Sequence, residues 1–420
     1  MKIFCKKIVG LIGLVIGVCA LASNGCQNAD APSLYNPGTL PQPIVDSLSP
    51  AAGALAGIDT VSVFGRNFSA DKSNDGVYFN STLLYNTSII SATTTKLVMK
   101  APTISGDSIS VRVYVIGAVD FSPTVIYKLR PAIGPFSTFA SGEAPYGLSA
   151  GTDTNLYASL SNSNLAVKDE GIFELTPAGT RLSPAYVLPT TSPINTNWLS
   201  IKYGPLGSIY AVKGTRAIYK LAPGVANPGA SPWAALGSGA FNDLDFDPDH
   251  NVWVGGSGVK TGSDTTNIIR FASDASSRTF HFPGTVRAVR YFSGYLYIAA
   301  VTGGASQILR TPWAADTIGT PLVYFDVSSV YSGVTPNIYA VSFSTDGDMY
   351  VGLDGPDYLI IVHPGGIAEM AYQLYVSSGV LSSPCKSLAW IGTSLYASTS
   401  AGGLLKVNTG KQSAPYFGTQ

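Results

Sequence analysis

The chain of 420 residues carries 25 basic and 25 acidic side chains, 45 Gly and 27 Pro, and 45% of its residues are apolar while only 12% are charged. With 23 Tyr and 17 Phe there is material for a large core, so the composition is not that of a disordered chain. Balanced charge without a basic stripe excludes an electrostatic nucleic-acid binder, and the wealth of Gly and Pro excludes a protein of long helices, leaving many short strands joined by tight turns.

Lys2, Lys6 and Lys7 precede an apolar stretch over residues 8–21. Its 14 residues fall short of the roughly 20 that a helix needs to span a bilayer, so residues 1–25 read as a secretory signal peptide. The run Leu21-Ala22-Ser23-Asn24-Gly25-Cys26 resembles the lipobox of bacterial lipoproteins, where small residues precede a cysteine that receives lipid. The resemblance implies lipidation at Cys26 and a membrane anchor. Ser23 and Asn24 depart from the pattern and leave open ordinary cleavage after Ala22 or Gly25, which would give a secreted or periplasmic protein. Residues 26–42 are polar and proline-rich, as in a tether. Removing the leader, with its three lysines, leaves 22 basic against 25 acidic side chains. Cys5 and Cys19 depart with it, and with Cys26 lipidated Cys385 has no disulfide partner and reads as a packing residue.

Residues 43–130 hold the next unit. Ile44-Val45-Asp46-Ser47-Leu48-Ser49-Pro50 is an opening strand stopped by proline, and Gly53 and Gly57 supply a turn. In Val61-Ser62-Val63-Phe64-Gly65-Arg66-Asn67-Phe68 the valines share one face, and Gly65 is expected to break the strand. This segment resembles the IPT/TIG domain, whose G-x-x-F signature falls on Gly65 and Phe68, and the resemblance implies an immunoglobulin-like sandwich used as a spacer or interaction module.

From residue 135 to 420 one phrase recurs six times. Its anchors are Leu156-Tyr157, Ile209-Tyr210, Val252-Trp253, Leu296-Tyr297, Met349-Tyr350 and Leu395-Tyr396, at steps of 53, 43, 44, 53 and 46 residues. Each copy reads as four short strands, and four strands at this period indicate the blades of a β-propeller. The fold expected is therefore all-β, an immunoglobulin-like sandwich followed by six blades. Fourth strands are expected at residues 186–188, 279–282, 322–325 and 372–375. The phrase Gly171-Ile172-Phe173-Glu174-Leu175-Thr176-Pro177-Ala178-Gly179 resembles an NHL-type repeat, a family in which an early strand often closes the ring. Residues 136–140 would do so here, with Pro415-Tyr416-Phe417 competing for the place.

Six-bladed propellers also include calcium-dependent lactonases and related lyase-like proteins, in which oxygen side chains at the channel ends of the inner strands hold one metal. The equivalent positions are Glu143, Asn197, Asp243, Arg287, Asn337 and Lys386. Two cations there oppose a calcium cage, because fixed positive charge destabilises a divalent ion; no metal ligands are assigned, no cofactor is expected, and calcium is kept only with the enzymatic alternative. Asp243, Asp245, Asp247 and Asp249 alternate as a strand entering a Pro-containing turn rather than as an EF-hand loop. The three histidines, His250, His281 and His363, are expected in outer turns and an outer strand of separate blades, without zinc spacing.

What the channel offers instead is aromatic and polar surface. Tyr146, Trp198 and Tyr339 open inner strands, near Asp243, Arg287 and Lys386, and such a set suits sugars, peptides or small anions. The plain alternative is that the aromatics only pack between blades. The reading is a non-catalytic binding or scaffold protein of the cell envelope, at the outer membrane or cell surface, with a glycan, peptide or protein partner, a lipid-mediated membrane contact and no nucleic acid. The pairing of domains is similar to that of Bacteroidota envelope proteins.

Overall fold

A computed structural model describes residues 39–164, 169–186, 198–222, 232–314 and 317–419. The leader, the tether, Cys26 and Asn197 lie outside them.

Two sheets form the first unit. One holds Ile44–Ser49, Thr60–Arg66, Lys96–Lys100 and Ile89–Thr93; the other holds Ala54–Leu55, Val125–Arg130, Gly106–Val115, Asp75–Phe79 and Thr82–Tyr85. Period-two alternation sends Val61 and Val63 from the first sheet, and Val77, Phe79, Val111 and Val113 from the second, into one core. Gly65 does not break its strand. It pairs with Val45 inside the ladder, where a Cβ would stand 1.9 Å from the Ile44 carbonyl oxygen and 2.5 Å from Phe68 Cζ. Glycine is needed here for close approach rather than for a turn.

Six further sheets make the blades. Their inner strands are Glu143–Ala150, Ser200–Tyr203, Ala240–Phe246, Thr285–Phe292, Ile338–Phe343 and Cys385–Ile391. The anchors sit on the second strands, and Leu156, Ile209, Val252, Leu296, Met349 and Leu395 are all at most 2% exposed. Blade four adds a small extension, Thr317–Ile318, beside its fourth strand Leu322–Asp326.

The ring closes on Ile133–Pro135, which pairs with Leu404–Asn408 as the outermost strand of the sixth blade. This lies just before the expected residues 136–140, of which only Phe136 continues the pairing, its N–H donating to the Leu404 carbonyl at 2.9 Å. Residues 415–417 do not compete for that edge. In blade five the fourth strand is Ile367–Glu369, and residues 372–375 instead enter a short helix, Gln373–Ser377. Tyr372, in the turn before this helix, and Tyr375 within it are 0% and 7% exposed and pack into the same core. Among the described residues no helix is long and apolar enough to cross a membrane.

Candidate functional site

Each inner strand enters the channel from the preceding blade and leaves it at the turn to its own second strand; these are the entry end and the turn end. In five inner strands the ladder slips by a residue, between Pro145 and Leu148, Phe241 and Asp243, Val286 and Ala288, Ile338 and Ala340, and Cys385 and Ser387. A bulged residue leaves the ladder and its side chain is re-aimed. The residues released in this way are Asn242, Arg287, Tyr339 and Lys386, with Tyr146 and Gly147 in the first blade.

Three of them converge at the entry end. Lys386 Nζ lies 3.1 Å from the centroid of the Tyr339 ring, and Arg287 Cζ 5.7 Å from it. Tyr339 Oη donates to Asp354 Oδ2 at 3.3 Å, and Asn337 fixes that carboxylate by donating from its backbone N–H and Nδ2 at 2.6 and 2.9 Å. All four side chains of the group are half-buried. Burial, and then the Arg287 charge, hold the Lys386 ammonium below its usual pKa against the pull of Asp354, while burial and Asp354 raise the Tyr339 phenol. Arg287 Nε is buried without an acceptor among the described residues. Two cations against one carboxylate make this mouth electropositive.

The other expected contact residues stand apart. Tyr146 is half-buried at the start of the first inner strand, where its carbonyl accepts from Ser398 Oγ at 2.5 Å. Trp198 is only 3% exposed; its ring meets Tyr219 edge-on and lies 4.1 Å from Lys213 Nζ, within a core shared with Tyr157, Ile172 and Ile201. It therefore offers no open aromatic surface. Glu143 accepts from Ala140 N–H at 2.7 Å and pairs with Arg181 at 2.8 Å.

Asp243 belongs to a different arrangement. An inner strand pairs on one side only, so the N–H groups of its channel edge need acceptors. The preceding blade supplies them. Ser387 Oγ accepts from Leu148 N–H at 3.0 Å, Ser149 Oγ from Tyr203 N–H at 2.8 Å, Asp243 Oδ2 from Val289 N–H at 3.0 Å, and Asp245 Oδ2 from Tyr291 N–H at 2.9 Å. Asp243 also accepts from Ser200 Oγ and from Arg290 Nη1, each at 2.6 Å. Lys202, Asp243, Asp245 and Arg290, at 6%, 5%, 4% and 7% exposure, form a buried charge cluster in the middle of the channel. Desolvation pushes the Lys202 ammonium down to about 8 and the Asp245 carboxyl up, with Arg290 and Lys202 opposing the latter.

The C-terminal segment crosses the turn end. The Gln412 carbonyl accepts from Thr345 N–H at 2.9 Å, Ser413 N–H donates to Gly392 at 2.9 Å, and Ala414 N–H to Phe343 at 3.0 Å. Further on, Tyr416 Oη donates to the Tyr203 carbonyl at 2.6 Å and Phe417 packs on Tyr291 at 5.3 Å. Its carbonyl lies 3.1 Å from His250 Nδ1, so His250 faces the channel rather than an outer rim. Beneath this strap is a cavity of about 420 Å³ lined from all six blades.

Neither Lys202 nor Arg290 stood out in the sequence. A signal was present, since Ser149, Lys202, Asp245, Arg290, Ser342 and Ala389 occupy one register, three residues past the bulge position, in the six copies. Among the described residues no three His, Cys, Asp or Glu side chains converge on a point.

The comparisons bear on the fold. Residues 43–127 match the model of the IPT/TIG domain. The N-terminal sandwich is an IPT/TIG domain. No match to a curated protein reaches significance. A putative phosphatase from Bacteroides thetaiotaomicron is similar in structure, with a TM-score of 0.50 and 11% identity, covering 91% of this chain and 100% of that one. An auxiliary nutrient binding protein from the same organism has a TM-score of 0.46 and 11% identity, covering 89% and 98%. A gluconolactonase from Xanthomonas campestris has a TM-score of 0.46 and 11% identity, covering 66% and 88%. At these identities the likeness is one of fold alone.

Proposed function

We propose that the protein is a non-catalytic binding module of the cell envelope, anchored through lipid at Cys26, whose propeller takes an acidic ligand at the entry end of its channel. The observation that carries this reading is the convergence of Arg287 and Lys386 on Tyr339, with Asp354 as their carboxylate neighbour. A half-buried pair of cations is an expensive arrangement unless an anion joins it, because each charge has lost part of its hydration. The ligand class that answers it is a glycan or peptide bearing carboxylates, with Arg287 free to use its planar fork. Tyr146, half-buried at the start of the first inner strand, stands apart from this group, and Trp198 is packed in the core.

The enzymatic alternative, a calcium-dependent lactonase-like or lyase-like propeller, needs several oxygen ligands about one point. Arg287 and Lys386 put fixed positive charge where that point would be, so these residues do not fit a divalent cation and no reaction step is drawn through one. The test is titration of the full chain, purified in detergent, with oligogalacturonate and with a neutral galactose oligomer of equal length. Tighter binding of the acidic oligomer, weakening as salt rises, supports the proposal; equal binding of both, or of neither, contradicts it.

A further inference from the structure

The cavity at the turn end shares none of its lining residues with the entry mouth. Two of its lining residues carry opposite charges that the protein leaves incompletely engaged. Lys202 is 6% exposed, yet among the described residues its ammonium makes no hydrogen bond and no ion pair within 4 Å. Asp245 is 4% exposed; its Oδ2 accepts from Tyr291 N–H, and among the described residues Oδ1 accepts nothing. The neighbouring pair Asp243 and Arg290 is already closed upon itself at 2.6 Å. Among the described residues, Lys202 thus faces the cavity without a hydrogen-bond acceptor, and Asp245 with one oxygen unused.

Enclosed charges of this kind are stable only when water or a ligand completes their hydrogen bonds. Phe343, Leu388, Trp390 and Ile391, from the fifth and sixth blades, give the lining an apolar and aromatic part. A volume of about 420 Å³ lies within the range of small-molecule sites. We propose that this chamber binds a small zwitterion, an α-amino acid with an apolar side chain: its carboxylate on Lys202, its ammonium on Asp245, its side chain against Trp390 and Phe343. A zwitterion answers both charges without adding net charge to the cluster. The strap formed by residues 413–416 is the roof, and the cavity reaches the surface beside it, where Thr154 and Thr345 are exposed.

The experiment is calorimetric titration of the full chain with phenylalanine, phenylalaninamide and N-acetylphenylalanine, which share one side chain and differ in charge. Phenylalanine should bind at least about tenfold more tightly than either analogue, since each lacks one charged contact. Lys202→Met should abolish its advantage over the amide, and Asp245→Asn, which retains an acceptor for Tyr291 N–H, its advantage over the N-acetyl compound. Arg287→Ala at the opposite mouth should leave phenylalanine binding unchanged, and circular dichroism melts verify that each variant folds. Equal affinity for the three compounds, no binding of any, or an affinity indifferent to Lys202→Met overturns the proposal.

Discussion

At the residue scale the polar side chains separate into those that hold the ring together and those that face a ligand. Asp247 belongs to the first group: it is fully buried and accepts from Asp249 N–H at 3.0 Å, Asn251 N–H at 2.9 Å and Trp253 Nε1 at 2.8 Å. Asp247→Ala would leave several buried donors unsatisfied and should destabilise the protein by about 3 kcal/mol in urea denaturation. His363 bridges Asp348 at 2.8 Å and Glu369 at 3.0 Å. The hydrogen bond to Asp348 raises its pKa above that of a free imidazole, with desolvation opposing and Glu369 adding to the rise. A raised folded pKa stabilises fully below the unfolded value and ceases to do so as pH climbs through the folded one. Melting temperature should therefore fall as pH climbs above the ordinary imidazole range of about 6.5, and His363→Gln should flatten that slope relative to the parent; an identical slope in both would contradict the assignment. In the sequence the Asp243 to Asp249 alternation was legible as a strand entering a turn. That Asp243 and Asp245 serve the next blade was not, because those partners lie 46 residues away and only the ring brings them together.

At the element scale the strands were legible because their apolar residues alternate and recur, while their ends were set by tertiary contacts. Closure shows the difference. Ile133 is 2% exposed in a core with Leu405 and Val407, but Ile133-Gly134-Pro135 is too short for a periodic signal. Ile133→Ala should cost about 3 kcal/mol through the cavity it leaves, measured by urea denaturation of the full chain; an unchanged midpoint would place closure elsewhere. Gly65 read as a breaker because glycine usually punctuates strands, whereas here it admits Ile44 and Phe68. Gly65→Ala should push the first strand of the IPT/TIG sandwich away from its partner and lower the stability of the sheet by about 2 kcal/mol, seen as faster amide exchange at Val45 and Val63. The inner-strand bulges were invisible in the sequence, since an extra residue in a ladder alters register without altering composition. They bring Arg287, Tyr339 and Lys386 together; the second blade's inner strand has no such slip, and Trp198 just before it lies within the core.

At the scale of the whole molecule, an IPT/TIG domain and six blades share contacts that no local pattern announces. Tyr375 Oη accepts from Ala132 N–H at 2.7 Å and donates to the Ala56 carbonyl at 3.2 Å, and Lys100 pairs with Glu369 at 2.7 Å. These tie the sandwich to the fifth blade and the closing strand. The channel then has two unlike ends, an electropositive mouth where strands enter and a strapped chamber where they turn. Repetition in the sequence revealed the ring and the register of its inner strands; the chemistry at each end arises where the copies differ. The most direct measurement is the affinity of the Arg287→Ala/Lys386→Ala double variant for oligogalacturonate beside that of the parent chain, with the melting temperature of both recorded. A loss of at least about tenfold with folding intact is expected, and an unchanged affinity would rule out acidic-ligand binding at this mouth.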